Sequence, residues 1–502
     1  MTLTTQRAAL AALLALPAGC GSGRGSAPAD AGPQTIFAAA AAQAADALQT
    51  YFYAGHGYWN ACVPATCYAA NYDWGADALT DALYLRWVQS QDAQIVPWLA
   101  ALAGSATTWG ACVVPFCQGW SDVPLWDSIA AARTHEVTQD PAELARAEID
   151  FDAVAASTAF ALGACPDIDY QQQPDGGPIL LKTLESDSNL VKAALLLYEA
   201  TQDASYLERA AAKYAAIRRY FLDPEVPLYT VFVFDDGRAC TQVPRRFFAS
   251  VNGNLIWAGL HLALDTGDST YLDQAVATAT AVTQHLGDAT GLFVDLEGED
   301  DLEEPLVEAM YELASSEGQA FARAWILANA QAAWSARTPD GLFGRFFNGP
   351  APGGTVTQWQ GSGGFALLFA AAALAPDQSV VPDPFWSTAT SVSVDLSDPP
   401  FSISFTGRGI ALVGTLGEVC CGPGHARVFV DGTETFDETG IWQNESPGSI
   451  SPPSTSASLP DTILFAWRWP VSGPHTLTFE PGIENAKEGG SFLHLQGYSF
   501  VP

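Results

Sequence analysis

Two periodicities divide the chain. Between residues 34 and 376, apolar positions recur at three- and four-residue intervals, the mark of amphipathic helices. Examples are ADALTDALYLRWVQSQD, LWDSIAAARTHEVTQD, LYEATQDASYLERAAAKYAAI and LALDTGDSTYLDQAVATATAV. A polar phrase returns between helices as Thr138-Gln139-Asp140, Thr201-Gln202-Asp203 and Thr266-Gly267-Asp268. Its Asp suits the N-cap of a second helix, so each unit reads as a helix–turn–helix hairpin. One hairpin cannot bury its apolar face alone, so several must stack. About ten to twelve helices fit this stretch at ordinary helix lengths. That number predicts a closed ring of hairpins, an all-α (α/α)6 barrel, whose long loops surround a cleft at one end. An open helical solenoid is the alternative, but its common repeat units are shorter.

Beyond a Pro- and Asp-rich linker at 377–384 the period changes to two. FSISFTGRGIALVG alternates from Phe401, Asp431-Gly432 is a hairpin signal, and ILFAWRWPVSGPHTLTF and SFLHLQGYSF complete the pattern. The prediction for 385–502 is an all-β jelly-roll sandwich. The order of these segments resembles the galactose-binding-like modules of secreted carbohydrate-active proteins, which implies carbohydrate binding. Trp442, Trp467 and Trp469 are candidates for sugar stacking or for the core. By parity, at least one of Trp467 and Trp469 belongs in the core.

Charge narrows the partners. The chain carries 55 acidic and 21 basic residues, for a net charge of −34. Such a surface repels phosphate, which argues against nucleic acid and anionic lipid as partners. The 15 Trp, 15 Tyr and 26 Phe exclude a disordered chain and suit a neutral ligand such as a polysaccharide or oligosaccharide. A monomer is expected, with no cofactor.

The first residues, MTLTTQRAALAALLALPAGC, read as a signal peptide over 1–19. Small residues before Cys20 resemble a bacterial lipobox, with Pro17 a departure from its usual Leu. Lipidation of Cys20, a tether over 20–33 and residence at the bacterial outer membrane or cell surface follow; plain secretion is the alternative. A lipid anchor would be the only membrane contact. Export permits disulfides among the eight remaining cysteines. Cys62/Cys67 and Cys112/Cys117 share a spacing, Cys165 and Cys240 form a long-range candidate pair, and Cys420/Cys421 are adjacent. Zinc fits poorly, because the spacing lacks close pairs with His partners. The acidic run Asp295 to Glu304 does not match a calcium loop and reads as a solvated loop. His56 and His135 read as structural.

Paired carboxylates in barrel loops would suit glycoside cleavage, which uses one as acid and the other as nucleophile or base. The candidates are Asp73 and Asp77, Asp122 and Asp127, Glu185 and Asp187, and Asp235 and Asp236. Asn252 is a candidate cleft residue, and Trp74, Trp120, Trp126 and Trp359 are candidate sugar platforms.

At these positions the sequence resembles glycoside hydrolase family 76, the endo-α-1,6-mannanases of the six-hairpin type. Counting back from Val137-Thr138-Gln139-Asp140 places the family's Asp-Asp pair on Asp122 and Val123. Trp126, Lys182, Ser186, Asp236-Gly237 before Cys240, Gly253 and the GLFG at 341–344 match further family positions. The resemblance implies that Asp122 is the nucleophile. Val123 departs from it, since valine can neither donate nor accept a proton. An acid/base would then come from Asp73, Asp127 or Glu185; Asp127, five residues on, is expected to complete the catalytic pair with Asp122. The expected function is an exported glycosidase acting on an α-linked polysaccharide such as α-1,6-mannan. The alternative is a non-catalytic surface glycan-binding lipoprotein.

Overall fold

The computed structural model describes residues 35–53, 62–63, 79–108, 121–156, 163–168, 180–243, 246–294, 303–353, 356–397, 400–416, 425–435, 441–442, 459–481 and 494–502. The expected leader and tether with Cys20, together with His56, Asp73, Trp74, Asp77, Trp120, Cys67, Cys112, Cys117, Cys420 and Cys421, lie outside these residues, as do the side chains of Cys62, Trp359 and Trp442. Among the described residues no helix is long and apolar enough to cross a membrane.

Twelve α-helices are described: α1 Phe37–Tyr51, α2 Thr80–Ser90, α3 Ile95–Thr108, α4 Asp122–Thr138, α5 Pro141–Ala155 and α6 Leu184–Thr201. They continue as α7 Ala204–Tyr220, α8 Ala249–Thr266, α9 Ser269–His285, α10 Glu304–Ser315, α11 Ala320–Ala336 and α12 Gln358–Leu374. Even-numbered helices pack in sequence as an inner ring, and α12 returns to α2 to close it. Odd-numbered helices form the outer layer. The result is an (α/α)6 barrel.

The recurrent phrase makes the hairpins. Gln139, Gln202 and Gly267 take the left-handed conformation that stops an inner helix. Asp140, Asp203 and Asp268 then cap the outer helix, each accepting from an amide two residues on. The Thr hydroxyl ahead of each Asp accepts from that Asp's own amide. Ser90-Gln91-Asp92 repeats the arrangement with Ser in place of Thr, and Gln91 is again left-handed. Short turns therefore occupy one end of the barrel and long loops the other.

Inner helices all begin at the long-loop end. Near that end they approach closely: a Cβ on Gly253 of α8 would overlap the Leu306 backbone nitrogen of α10, and one on Gly363 of α12 would overlap the Glu303 carboxylate.

Strands β2 (Leu180–Thr183), β3 (Phe232–Asp235) and β4 (Cys240–Gln242) form a small antiparallel sheet on the loop end. A disulfide joins Cys165 to Cys240 beside it, with Cα atoms 5.8 Å apart. Strand β1 (Cys62–Val63) pairs with β5 (Val356–Thr357).

The C-terminal domain is β6 (Thr390–Ser397), β7 (Phe401–Leu416), β8 (His425–Val430), β9 (Thr433–Glu434), β10 (Ile441–Trp442), β11 (Leu459–Pro481) and β12 (His494–Val501). They join into one antiparallel sheet, with the long strands β7 and β11 at its centre. Register breaks in β11, the largest between Arg468 and Gly473, let it pair along the whole of β7. Trp469 is buried in the core of this domain, and Trp467 packs against it half-buried, stacked on Phe465. Both are therefore accounted for by packing.

The predicted linker is fixed rather than loose. Gln331 of α11 bonds both backbone groups of Val381, and the Asp383 amide donates to Ser335.

Gly253→Ala tests the ring closure. In an open helix Ala would gain about 1 kcal/mol over Gly. Here overpacking against Leu306 is expected to destabilise the protein by about 1–3 kcal/mol, read as a lower urea midpoint. A midpoint at or above wild type would contradict the close approach.

Candidate active site

Inner helices must present something to the barrel axis, and here they present charge. Lys192 of α6 donates to Asp81 of α2 at 2.7 Å and to Glu308 of α10 at 2.8 Å. Arg133 of α4 pairs with the other Glu308 oxygen and with Glu136 at 2.9 Å. Its guanidinium lies 3.9 Å from the Tyr84 ring centre, and the buried Trp257 ring of α8 faces both cations. One turn further from the loop end, His261 is held between Glu199 at 2.5 Å and Glu312 at 2.7 Å. Five inner helices thus share one buried column of acids and bases.

The column carries its own charge states. Burial pushes the Glu308 carboxyl up, to about 7, while Arg133 and Lys192 pull against that shift. Burial lowers the His261 imidazole, but Glu312 and Glu199 outweigh it and bring it to about 10.

Helical spacing shows which candidates look along the axis. Eleven residues is close to three full turns, so Asp122 shares the axial stripe of Arg133, with Trp126 and Ile129 between them. Seven residues is close to two turns, so Glu185 shares the stripe of Lys192. Both carboxylates stand at the loop end, in the first turns of adjacent inner helices. Ser121 and Ser186, their immediate neighbours, bond hydroxyl to hydroxyl at 2.7 Å. Glu185 is half-buried while every other residue from Lys182 to Leu197 is buried. Asp122 is 8% exposed. Helix N-termini favour negative charge at both places. Glu304 joins the same floor from the first turn of α10, accepting from the Ser362 hydroxyl of α12 at 2.5 Å.

Several predicted site residues are placed elsewhere. Asp127 is turned to the outer layer, 3.5 Å from Arg146 of α5. Five residues advance a helix by well over a right angle from Asp122, so the two cannot share a face. There Asp150 is pushed up to about 7 by burial and by the Asp127 charge beside it. Asp187 is buried against Lys213 of α7 at 2.7 Å. Asn252 is fully buried and bonds both backbone groups of Tyr229, a structural clasp rather than a cleft residue. Asp236 is an exposed turn residue accepting from the Arg238 and Ala239 amides. Asp235 accepts from the amides of Ala164, Cys165 and Gly237. Burial opposes its charge, but those three bonds outweigh it and hold the carboxyl below its usual range. Trp126 is buried in the helical core and serves as packing below Asp122 rather than as an open platform. Glu303 and Glu304 are buried at the start of α10, so the end of the acidic run is not solvated. His135 bonds the Asp140 carbonyl, a structural role.

Asp81, Arg133, Lys192, Glu199, His261, Glu308 and Glu312 were not among the candidates. Their signal was charge inside otherwise apolar helical stripes, as in SNLVKAALLLY, EPLVEAMYEL and AGLHLALD.

No family model and no curated protein matches the chain. Solved structures do. An inactive variant of a Salegentibacter α-1,6-mannanase, with two adjacent aspartates replaced by asparagine and bound to α-1,6-mannotriose, is similar at a TM-score of 0.58 and 22% identity. That likeness covers 67% of this chain and 99% of that one. The helical domain has the fold of family 76 glycoside hydrolases. A family 76 α-mannanase of Bacteroides thetaiotaomicron is similar at a TM-score of 0.55 and 14% identity, over 68% of this chain and 96% of its own. A Listeria innocua protein is similar at 0.57 and 17%, over 68% and 98%. The share covered is the size of the helical domain, so the β domain is an addition to the shared family 76 fold.

The state of His261 is testable by pH. Its folded value of about 10 lies above the ordinary 6.5. The stability it contributes is therefore complete below about pH 6.5 and is lost as pH rises through about 10. The melting-temperature gap between wild type and His261→Gln should be widest near pH 6 and shrink towards pH 10. A gap that stays constant or widens would contradict a cationic His261.

Proposed function

We propose that this chain is an exported glycoside hydrolase acting on an α-linked mannan-type polysaccharide, with Asp122 and Glu185 as its carboxylate pair. The observation that carries this reading is their shared position: two acids, on the axial stripes of neighbouring inner helices, at the loop end of a mannanase-like barrel. Hydrolysis needs one group to protonate the departing glycosidic oxygen and another to attack the anomeric carbon or activate water there. Asp122 corresponds to the family nucleophile in the resemblance described above. Glu185 takes the proton-donor role that Val123 cannot. The buried column below supplies a rigid floor, so neither helix can rotate its acid away. Export rests on the leader-like N-terminus, and surface retention on the lipobox-like Cys20.

Val123 favours a second reading, a surface glycan-binding lipoprotein that retains α-1,6-linked chains without cutting them. The two readings differ in turnover. Purified protein is expected to release oligosaccharides from α-1,6-mannan. Asp122→Asn should abolish release, and Glu185→Gln should lower kcat/KM by roughly 10²- to 10⁴-fold, with melting temperatures close to wild type. Retention on mannan without any product would establish the binder instead. Wild-type turnover in Glu185→Gln would reject Glu185 as the acid.

A further inference from the structure

The β domain is seated on the loop end of the barrel, the end that carries Asp122. Its footing is the α9–α10 and α11–α12 loops. Asn348, fully buried in the second loop, donates to the Ala466 carbonyl of β11 at 2.9 Å and to Asp288 of the first loop at 3.0 Å. The Asn348 carbonyl accepts from Arg468 of β11 at 2.5 Å and from the Trp386 indole at 2.9 Å. Arg468, 4% exposed, also pairs with Asp383 and lies 4.3 Å from the Phe385 ring centre. Val294 and Phe346, from the same two loops, belong to the β domain's own hydrophobic core. A Cβ on Gly349 would come within 3.2 Å of the Ala466 side chain, so the backbones meet without a spacer. A module tethered for independent motion has no need of a shared core and a buried cation.

From this footing the α11–α12 loop runs to Gly353 beside Asp461, then to β5 and the first turn of α12. Ser362, one turn further along α12, bonds Glu304 on the cleft floor. The α9–α10 loop ends at Glu303 and Glu304 themselves. Both loops that support the β domain therefore deliver the cleft floor on the α10–α12 side.

We infer that the β domain is a fixed wall of the cleft, and that Asn348 and Arg468 are positioning residues setting that wall against the far units of a long neutral glycan. This rests on the glycosidase reading above. On this inference the wall acts on chain length: a hexasaccharide over Asp122 and Glu185 is expected to touch it and a disaccharide is not. Its contribution falls on binding, because its contacts are remote from the reacting bond.

The test uses the full-length protein and α-1,6-linked mannooligosaccharides. Asn348→Ala should raise KM for the hexasaccharide by about 5- to 10-fold with kcat nearly unchanged, and leave kcat/KM for the disaccharide within about twofold. An equal loss on both substrates, or no change on either, would overturn the inference. Hydrogen exchange on wild type keeps the question open to test if that variant folds poorly. Amides of 342–353 and 461–468 should gain protection with the hexasaccharide and not with the disaccharide. Equal protection by both, or none, would also overturn it. Absence of turnover in wild type defeats the glycosidase reading, while length-dependent protection would still support the wall.

Discussion

The charged column inside the barrel is the constraint on which the rest depends. Each cation must lie within hydrogen-bond distance of an acid on another helix, because an unpaired buried charge costs several kcal/mol. Lys192 ties α6 to α2 and α10, Arg133 ties α4 to α10, and His261 ties α8 to α6 and α10. Rotating any of these helices by one residue would break an ion pair in low dielectric. The column therefore sets rotation as well as proximity, and rotation decides which residues of the first turns look down the axis.

From that follows the placement of the acids. Asp122 and Glu185 inherit their direction from Arg133 and Lys192, three and two turns below. Asp127 and Asp187, only a few residues away, inherit the opposite direction and are neutralised in the outer layer by Arg146 and Lys213. Val123 carries no acid beside Asp122, so α4 has one axial carboxylate at its start, and the neighbouring helix offers the other. The β domain continues the same logic outward, since its buried Arg468 and Asn348 fix the loops that begin α10 and α12.

Much of the fold was legible because its signals are local. The Thr-Gln-Asp phrase states a helix stop and a helix start within three residues, so the hairpins and their number could be read directly. The change to period two likewise marked the strands. The site was harder to read. Asp122, Asp127, Glu185, Asp187, Asp236 and Asn252 look alike in sequence, as polar residues near helix starts or turns. What separates them is helix rotation and the identity of a partner twenty to two hundred residues away, which no local pattern carries. Glu303 and Glu304 show the same limit, reading as the end of a solvated acidic run and folding into the cleft floor. The docking of the β domain through Asn348 had no sequence signal at all, since a buried asparagine bridging two loops and a strand resembles any loop asparagine.

The central claim is that Asp122 and Glu185 flank one glycosidic bond. A crystal structure of the full-length Asp122→Asn variant with an α-1,6-linked mannotetraose measures this directly. The account predicts a glycosidic oxygen within hydrogen-bond reach of Glu185, the adjacent anomeric carbon facing residue 122, and about 5–10 Å between the two side-chain carbonyl carbons. A sugar chain bound with Glu185 directed away from every glycosidic oxygen, or with another carboxylate in its place, would contradict it.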